Sequence, residues 1–272
     1  MQSFRVSPGA MLESLIKNRR LILALTKREV IGRYRGSALG ILWSLFNPIF
    51  MLAVYTFVFS IVFRAKWGGG NQTQTEFALV LFAGLIVFNL FAECFNRAPT
   101  LIISNANYVK KVVFPLEVLP WVALGSSLFH ALVSVVVWLL FYIFVVGIPH
   151  WTVLLTPLVL VPMILFTVGV SWLLASLGVY LRDVGQIVGI LTTVLMFVSP
   201  IFFPISALPA KLQPLLSLNP LASPIAQIRD VLYWGVIPNP MHYVAYLVGA
   251  AVIACLGFAW FQKTRKGFAD VL

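Results

Sequence analysis

Charged residues make up only 10% of these 272 residues, and from Val118 to Leu181 there is no Lys, Arg, Asp or Glu at all. A soluble fold of this length needs more polar surface than that to cover itself, which excludes an ordinary soluble domain. Acidic residues are scarcer still. The eight are Glu13, Glu29, Glu76, Glu93, Glu117, Asp183, Asp230 and Asp270, and none stands at the middle of an apolar run. That removes the mid-membrane carboxylate expected of a proton- or sodium-coupled carrier. Two cysteines, Cys94 and Cys255, lie in or beside apolar runs without metal-type spacing, so neither a disulfide framework nor a zinc site is expected. His130 stands alone in an apolar run and reads as a packed or interhelical hydrogen-bonding residue. His150 and His242 sit near the ends of such runs, and no paired-carboxylate, zincin or nucleophile-elbow arrangement accompanies any of the three. No Gly-x-x-x-x-Gly-Lys-Ser/Thr loop occurs, and Gly68-Gly69-Gly70 is followed by Asn71-Gln72-Thr73 instead of a helix after a strand. The chain therefore carries no recognisable nucleotide site of its own. Asn71-Gln72-Thr73 itself fits a glycosylation acceptor, a weak three-residue pattern.

What is abundant is apolar: 61% hydrophobic residues and a mean hydropathy of +0.98. An uncharged run of about 20 residues crosses a hydrocarbon core of about 30 Å, so the stretch from Val118 to Leu181, broken by Gly147-Ile148-Pro149, is a pair of spans. Continued along the chain, the pattern predicts six spans, at 37–63, 77–96, 118–146, 153–181, 184–203 and 240–262. An even number puts both termini on one side. With that side inside, 15 of the 19 Lys and Arg fall in inner segments, against Arg64, Lys66, Lys211 and Arg229 outside. The excess predicts cytoplasmic termini. It also accounts for the net charge of +11 without nucleic acid, because the basic residues flank apolar runs. No cleavable leader is expected, since a long basic segment without a small-residue cleavage pattern precedes the first span.

Residues 1–36 form a segment of their own. Ser7-Pro8 suits a helix start, and Met11, Leu12, Leu15, Ile16, Ile22, Leu23, Val30 and Tyr34 recur at helical spacing against Lys17, Arg20, Lys27, Arg28 and Arg35. This predicts an amphipathic helix in the inner interface, its basic residues on headgroups. Residues 97–117 form the main inner loop, with a short helix-forming stretch that fits either a docking element or a solvated connector. Between spans five and six, in the region 199–239, Pro200, Pro204, Pro209, Pro214, Pro220 and Pro224 forbid one long helix. Leucines and isoleucines between them favour short re-entrant helices over a plain external loop. Aromatic residues reach 14%, most of them explained by interfacial anchoring, while Tyr55, Phe57, Phe59, Phe202 and Phe203 are candidates for a surface along which sugar rings slide. The fold class that follows is an all-α membrane protein: one interfacial helix at 1–36, then a six-span domain at 37–272.

Four segments carry a resemblance. Arg28-Glu29-Val30-Ile31-Gly32-Arg33-Tyr34-Arg35-Gly36-Ser37-Ala38-Leu39-Gly40 runs into Leu42-Trp43-Ser44 and Asn47-Pro48. Further on come the segment from Asn107 to Pro120, then Tyr180-Leu181-Arg182-Asp183-Val184, then Ser199-Pro200-Ile201-Phe202-Phe203-Pro204. Together they resemble the permease subunits of type-two ABC polysaccharide exporters, the O-antigen and teichoic-acid group, over essentially the whole chain. The resemblance implies a homodimer in a bacterial inner membrane, joined by two separate ATPase subunits that bind ATP and magnesium. It implies a lipid-linked polysaccharide as cargo and no cofactor in this chain. By the same analogy Ser104, Asn105, Asn107, Tyr108, Lys110 and Lys111 belong to a helix that meets the ATPase. Arg33 and Arg35 are placed to meet a lipid pyrophosphate, which guanidinium suits through paired hydrogen bonds. Asp183 beside Arg182 suggests a structural pair at an inner turn, and residues 199–228 an outer gate. O-antigen is the first expectation for the cargo, with capsule, teichoic acid or a small molecule as alternatives. An enzyme acting on polyprenyl lipids is the rival class, disfavoured because no cluster of acids or metal ligands is available.

Overall fold

A computed structural model describes residues 6–62, 67, 74–110, 114–211 and 213–272. Those residues are mostly helical, with no strand among them. The expected interfacial helix is two helices, α1 (Pro8–Lys17) and α2 (Arg19–Arg33). Ser7 caps the first, its side chain accepting from the Ala10 amide at 3.3 Å. The break falls at Asn18, whose side-chain amide donates to the Ser14 carbonyl at 2.9 Å and competes with the helical ladder. After α2 the chain turns through Gly36 (φ 86°) and Gly40 (φ 51°), left-handed conformations that a side chain resists.

Among the described residues, five helical stretches are long and apolar enough to cross a membrane: Gly40–Phe59, Thr75–Thr100, Leu116–Val145, Trp151–Tyr180 and Pro240–Val271. They contain α3 (Trp43–Tyr55), continued by a wider π turn at Thr56–Val62, and α4 (Gln74–Arg97). The loop at 97–117 holds α5 (Ala106–Val109), a single turn, and is followed by α6 (Leu119–Val145) and α7 (Thr156–Tyr180). The expected fifth span is shorter than the sequence suggests. α8 (Val184–Val198) is apolar but 15 residues long, about 22 Å, against a core of about 30 Å. It stops because Ser199 is extended (φ −76°, ψ 148°), as the residue before Pro200 tends to be. The proline-rich region then breaks into α9 (Gln213–Ser217), α10 (Ala222–Arg229) and a π turn at Asp230–Trp234 that ends on Gly235 (φ 67°). α11 (Pro240–Thr264) and α12 (Phe268–Val271) complete the chain.

α4 is the central pillar. From Phe77 to Phe88 every side chain is buried, and α3, α6, α7, α8 and α10 all pack around it. A helix apolar on all sides belongs in such a place. α7 and α11 make the most extensive pairing, and small residues explain it. A Cβ added at Gly169 would lie 2.7 Å from the Ala254 Cα, and one at Gly257 would run into the Gly169 carbonyl. Between helices in lipid, close backbone approach replaces the missing hydrophobic drive. Gly257→Ala is therefore expected to cost about 1–3 kcal/mol, read as a lower melting temperature of the detergent-purified protein. Gly249→Ala on the same helix, where a Cβ meets open space, is expected to be neutral.

Candidate functional site

A groove of about 670 Å³ opens between α3, α4 and α6. Its walls carry Asn47, Asn89, Asn96, Ser127 and Ser134, polar side chains on otherwise apolar spans. Such residues avoid lipid and line wet cavities. One end holds Arg33, Tyr34, Glu93 and His130, and Tyr55 also faces the groove.

The charged end is built from three helices. Arg33, the last residue of α2, reaches Glu93 of α4 at 2.5 Å and lies 2.9 Å from the His130 Nδ1 of α6. His130 Nδ1 is also 3.3 Å from the second Glu93 oxygen, and Nε2 is 3.0 Å from the Tyr34 hydroxyl. Burial pushes that hydroxyl above the ordinary tyrosine range, so it keeps its proton and serves as donor or acceptor. Arg97 is held by Glu29 at 2.6 Å and stands 3.8 Å from Glu93. His130 is thus an interhelical hydrogen-bonding residue, as the sequence led one to expect. Its partner Glu93 was legible only as an acid near the end of a span. Arg33 and Arg35 are both exposed but part company: the first lines the groove and pairs with Glu93, while the second has no ion pair among the described residues. Nor does an ion pair join Arg182 to Asp183 among those residues.

The aromatic candidates divide in the same way. Tyr55 and Phe59 lie 6.4 Å apart between ring centroids, and Phe59 stacks near Phe202 at 5.8 Å. Phe77 and Phe197, which the sequence did not single out, extend this ladder at 5.7 and 6.0 Å. Phe57 is elsewhere. It is 57% exposed and lines a separate apolar cavity of about 600 Å³ with Leu45, Phe141 and Phe144. Phe203 is half-buried and has no ring neighbour among the described residues.

At the inner loop the expected helix is a 3-10 turn at Ile103–Asn105 followed by α5. Ser104, Asn107 and Lys110 are exposed, while the Asn105 amide folds back on the Leu101 carbonyl at 2.9 Å. Tyr108 stacks on Phe114 at 4.2 Å, and its hydroxyl accepts from Arg28 at 2.6 Å, joining the loop to α2. Lys111 lies outside the described residues, as do Phe63, Arg64, Lys66 and Asn71-Gln72-Thr73. Behind the loop sits a clasp that sequence reasoning missed. Glu117 pairs with Arg265 at 2.6 Å, accepts from Ser14 at 3.1 Å, and its carbonyl accepts from the Trp172 indole at 3.0 Å. Arg265 also donates to the Phe114 carbonyl at 2.8 Å.

Arg229, counted from sequence as an external loop charge, is 5% exposed. It donates to the carbonyls of Val80 at 2.9 Å, Pro200 at 2.5 Å and Ile201 at 2.7 Å, and its guanidinium lies 4.3 Å from the Trp67 ring. Gly84 of α4 leaves room for it, since a Cβ there would sit 2.6 Å from Nη2. The proline-broken region is therefore pinned to the central helix by one cation. A proline-rich segment with a lone arginine was the only signal available in the sequence. Among the described residues, no three His, Cys, Asp or Glu side chains gather as a metal site.

Residues 20–233 match the ABC-2 type transporter family. The chain is 28% identical over 262 residues to the O-antigen export system permease protein RfbA of Myxococcus xanthus, covering 96% of this chain and 98% of that one. It is 29% identical over 257 residues to the protein of the same name from Klebsiella pneumoniae, covering 93% and 95%. The capsule polysaccharide export inner-membrane protein CtrC of Neisseria meningitidis serogroup A is 24% identical over 282 residues, covering 94% and 95%.

Proposed function

We propose that this chain, which belongs to the ABC-2 type transporter family, is the membrane subunit of an exporter that moves lipid-linked polysaccharide, O-antigen before capsule, out of the cytoplasm. It is a transport subunit in an inner membrane, and ATP hydrolysis sits in a separate nucleotide-binding subunit. The observation that carries the cargo reading is the polar groove along α3, α4 and α6 in a chain that has no nucleotide loop. Similarity to a capsule export protein keeps capsule polysaccharide as the second reading.

In this reading α8 and the proline-broken region that follows it complete a sixth, shorter crossing, both termini are cytoplasmic, and α1 and α2 lie at the inner interface. Two copies line the path, because one bundle is narrow for a glycan. Arg33 and Arg35 meet the pyrophosphate of the carrier lipid. The exposed edge of the inner loop, from Ser104 to Lys111, docks on the ATPase, and movement there passes through Tyr108 to α2 and through the Glu117–Arg265 clasp to α11. Tyr55, Phe59 and Phe202 offer ring faces to the sugars, while Phe57 and Phe203 serve the same surface only if a second copy brings a sugar past them. Residues 199–228, pinned by Arg229, form the outer gate.

The test is genetic and biochemical together. In a strain lacking its own copy, the wild-type gene is expected to restore surface polysaccharide. Arg33→Ala and Arg35→Ala are expected to reach the membrane and co-purify with the ATPase, yet lower surface polysaccharide by about tenfold, the loss of one charge-assisted phosphate contact. Undiminished surface polysaccharide in both variants counts against the assignment.

A further inference from the structure

Arg33 lines two cavities. One is the 670 Å³ groove; the other, of about 450 Å³, is lined by Glu29, Gly32, Arg33, Arg97 and Ser126. In the second cavity two guanidiniums stand near the Ser126 hydroxyl, which is buried without a hydrogen-bond partner. Both arginines are taken up by the protein's own carboxylates, Arg33 by Glu93 at 2.5 Å and Arg97 by Glu29 at 2.6 Å. Guanidiniums and a hydroxyl suit a phosphate or diphosphate, provided a carboxylate can be made to let go.

His130 supplies the means. Its Nδ1 lies 2.9 Å from Arg33 Nη1 and 3.3 Å from Glu93 Oε2. Arginine only donates and a carboxylate only accepts, so one ring nitrogen satisfies one of them at a time. With Arg33 in place, Nδ1 accepts from it and Nε2–H donates to the Tyr34 hydroxyl, 3.0 Å away. Once Arg33 leaves, the opposite tautomer fits the same positions: Nδ1–H donates to Glu93, and the Tyr34 hydroxyl donates to Nε2. The net change is one proton moved from Nε2 to Nδ1 through solvent in the open groove, with no group left unpaired. Without the imidazole, Glu93 would be left facing only Arg97, 3.8 Å away, and a half-buried carboxylate holds its partner harder when no other is near. The charged and titratable groups around the imidazole are Glu29 and Arg33 from α2, Tyr34 just after it, and Glu93 and Arg97 from α4.

We infer that Glu93 and His130 form an exchange latch: a lipid-borne diphosphate in the 450 Å³ cavity, bound by Arg97 and Ser126, takes Arg33 from Glu93 while His130 takes over the carboxylate. This rests on the reading of Arg33 as a contact for the carrier lipid's diphosphate, and adds its competitor and its further ligands.

The test uses the assembled transporter, this chain with its ATPase, in lipid nanodiscs, with farnesyl diphosphate as the probe. Arg33→Ala is expected to weaken binding about tenfold. Glu93→Gln is expected to tighten it about threefold to tenfold, the opposite sign from a merely structural role, because a neutral amide competes poorly for Arg33. His130→Leu weakens binding, and adding Glu93→Gln abolishes that loss. In the wild-type protein, the imidazole nitrogen resonances of His130 are expected to exchange tautomer when the probe is added, a readout that requires no variant to fold. A Glu93→Gln protein that binds no tighter, or an unchanged His130 tautomer, overturns the latch while leaving Arg33 as a contact. An Arg33→Ala protein that binds normally overturns the underlying reading. Inorganic pyrophosphate competing at the same concentration as farnesyl diphosphate overturns the lipid-borne source.

Discussion

Arg229→Met is expected to lower the melting temperature of the purified transporter by about 10 °C and to abolish export. The carbonyls of Val80, Pro200 and Ile201 would each lose a charged donor, and Pro200 and Ile201 lie outside any helix whose ladder could satisfy them. An orphaned buried acceptor costs about 1–3 kcal/mol. Removing the guanidinium also removes the cost of burying it, so the net loss is about 3 kcal/mol. That is a large share of the 5–15 kcal/mol that typically holds a protein folded. Arg229→Lys keeps the charge on a compact head that cannot fork between α4 and the Pro200 turn, and is expected to fall between methionine and wild type. Gly84→Ala attacks the same pin from the other side and is expected to mimic Arg229→Met. Heating followed by size-exclusion chromatography reads the stability. A wild-type melting curve for both Arg229→Met and Gly84→Ala would show that the pin holds nothing.

Glu117→Ala should be nearly as severe, by a different route. Glu117 and Arg265 are 12% and 13% exposed at the side chain, and deleting Glu117 takes away the carboxylate that pairs with a mostly buried guanidinium. Such a loss costs about 3–5 kcal/mol. The double variant Glu117→Leu, Arg265→Met removes both charges and is expected to recover most of that stability, because apolar replacement of a whole buried pair is close to neutral. Export is not expected to return with it. The clasp joins the exit of the 97–117 loop to α1, through Ser14, and to the turn that follows α11, and an apolar contact cannot hold those three at fixed orientation. The measurement is ATP hydrolysed per polysaccharide exported in vesicles. Restored export alongside restored stability in the double variant would assign Glu117 and Arg265 to stability alone.

Hydropathy located the long spans to within a few residues, because an apolar run that must cross a bilayer has no other solution. It overextended α8 to residue 203, since Ile201, Phe202 and Phe203 are as apolar as a span while Ser199-Pro200 has already ended the helix. It also read α1 and α2 as one helix, because their apolar spacing continues across Asn18 while the backbone does not. Tyr55, Phe59 and Phe202 were chosen by residue type and do form one ladder, whereas Phe57, chosen on the same ground, faces another cavity. Position along a helix decides such facing, and the π turn at Thr56–Val62 shifts it from the expected period.

Class, approximate spans, the absence of a phosphate-loop motif and the proline-broken region were all written in the linear order of residues, because lipid and proline impose rules that act locally. Partnership was not. Glu93 finds Arg33 60 residues away, Glu117 finds Arg265 148 residues away, and Arg229 finds Val80 149 residues away. No periodicity encodes those distances. A buried charge must be paired, but which element supplies the pair is settled only when helices far apart in the chain pack side by side.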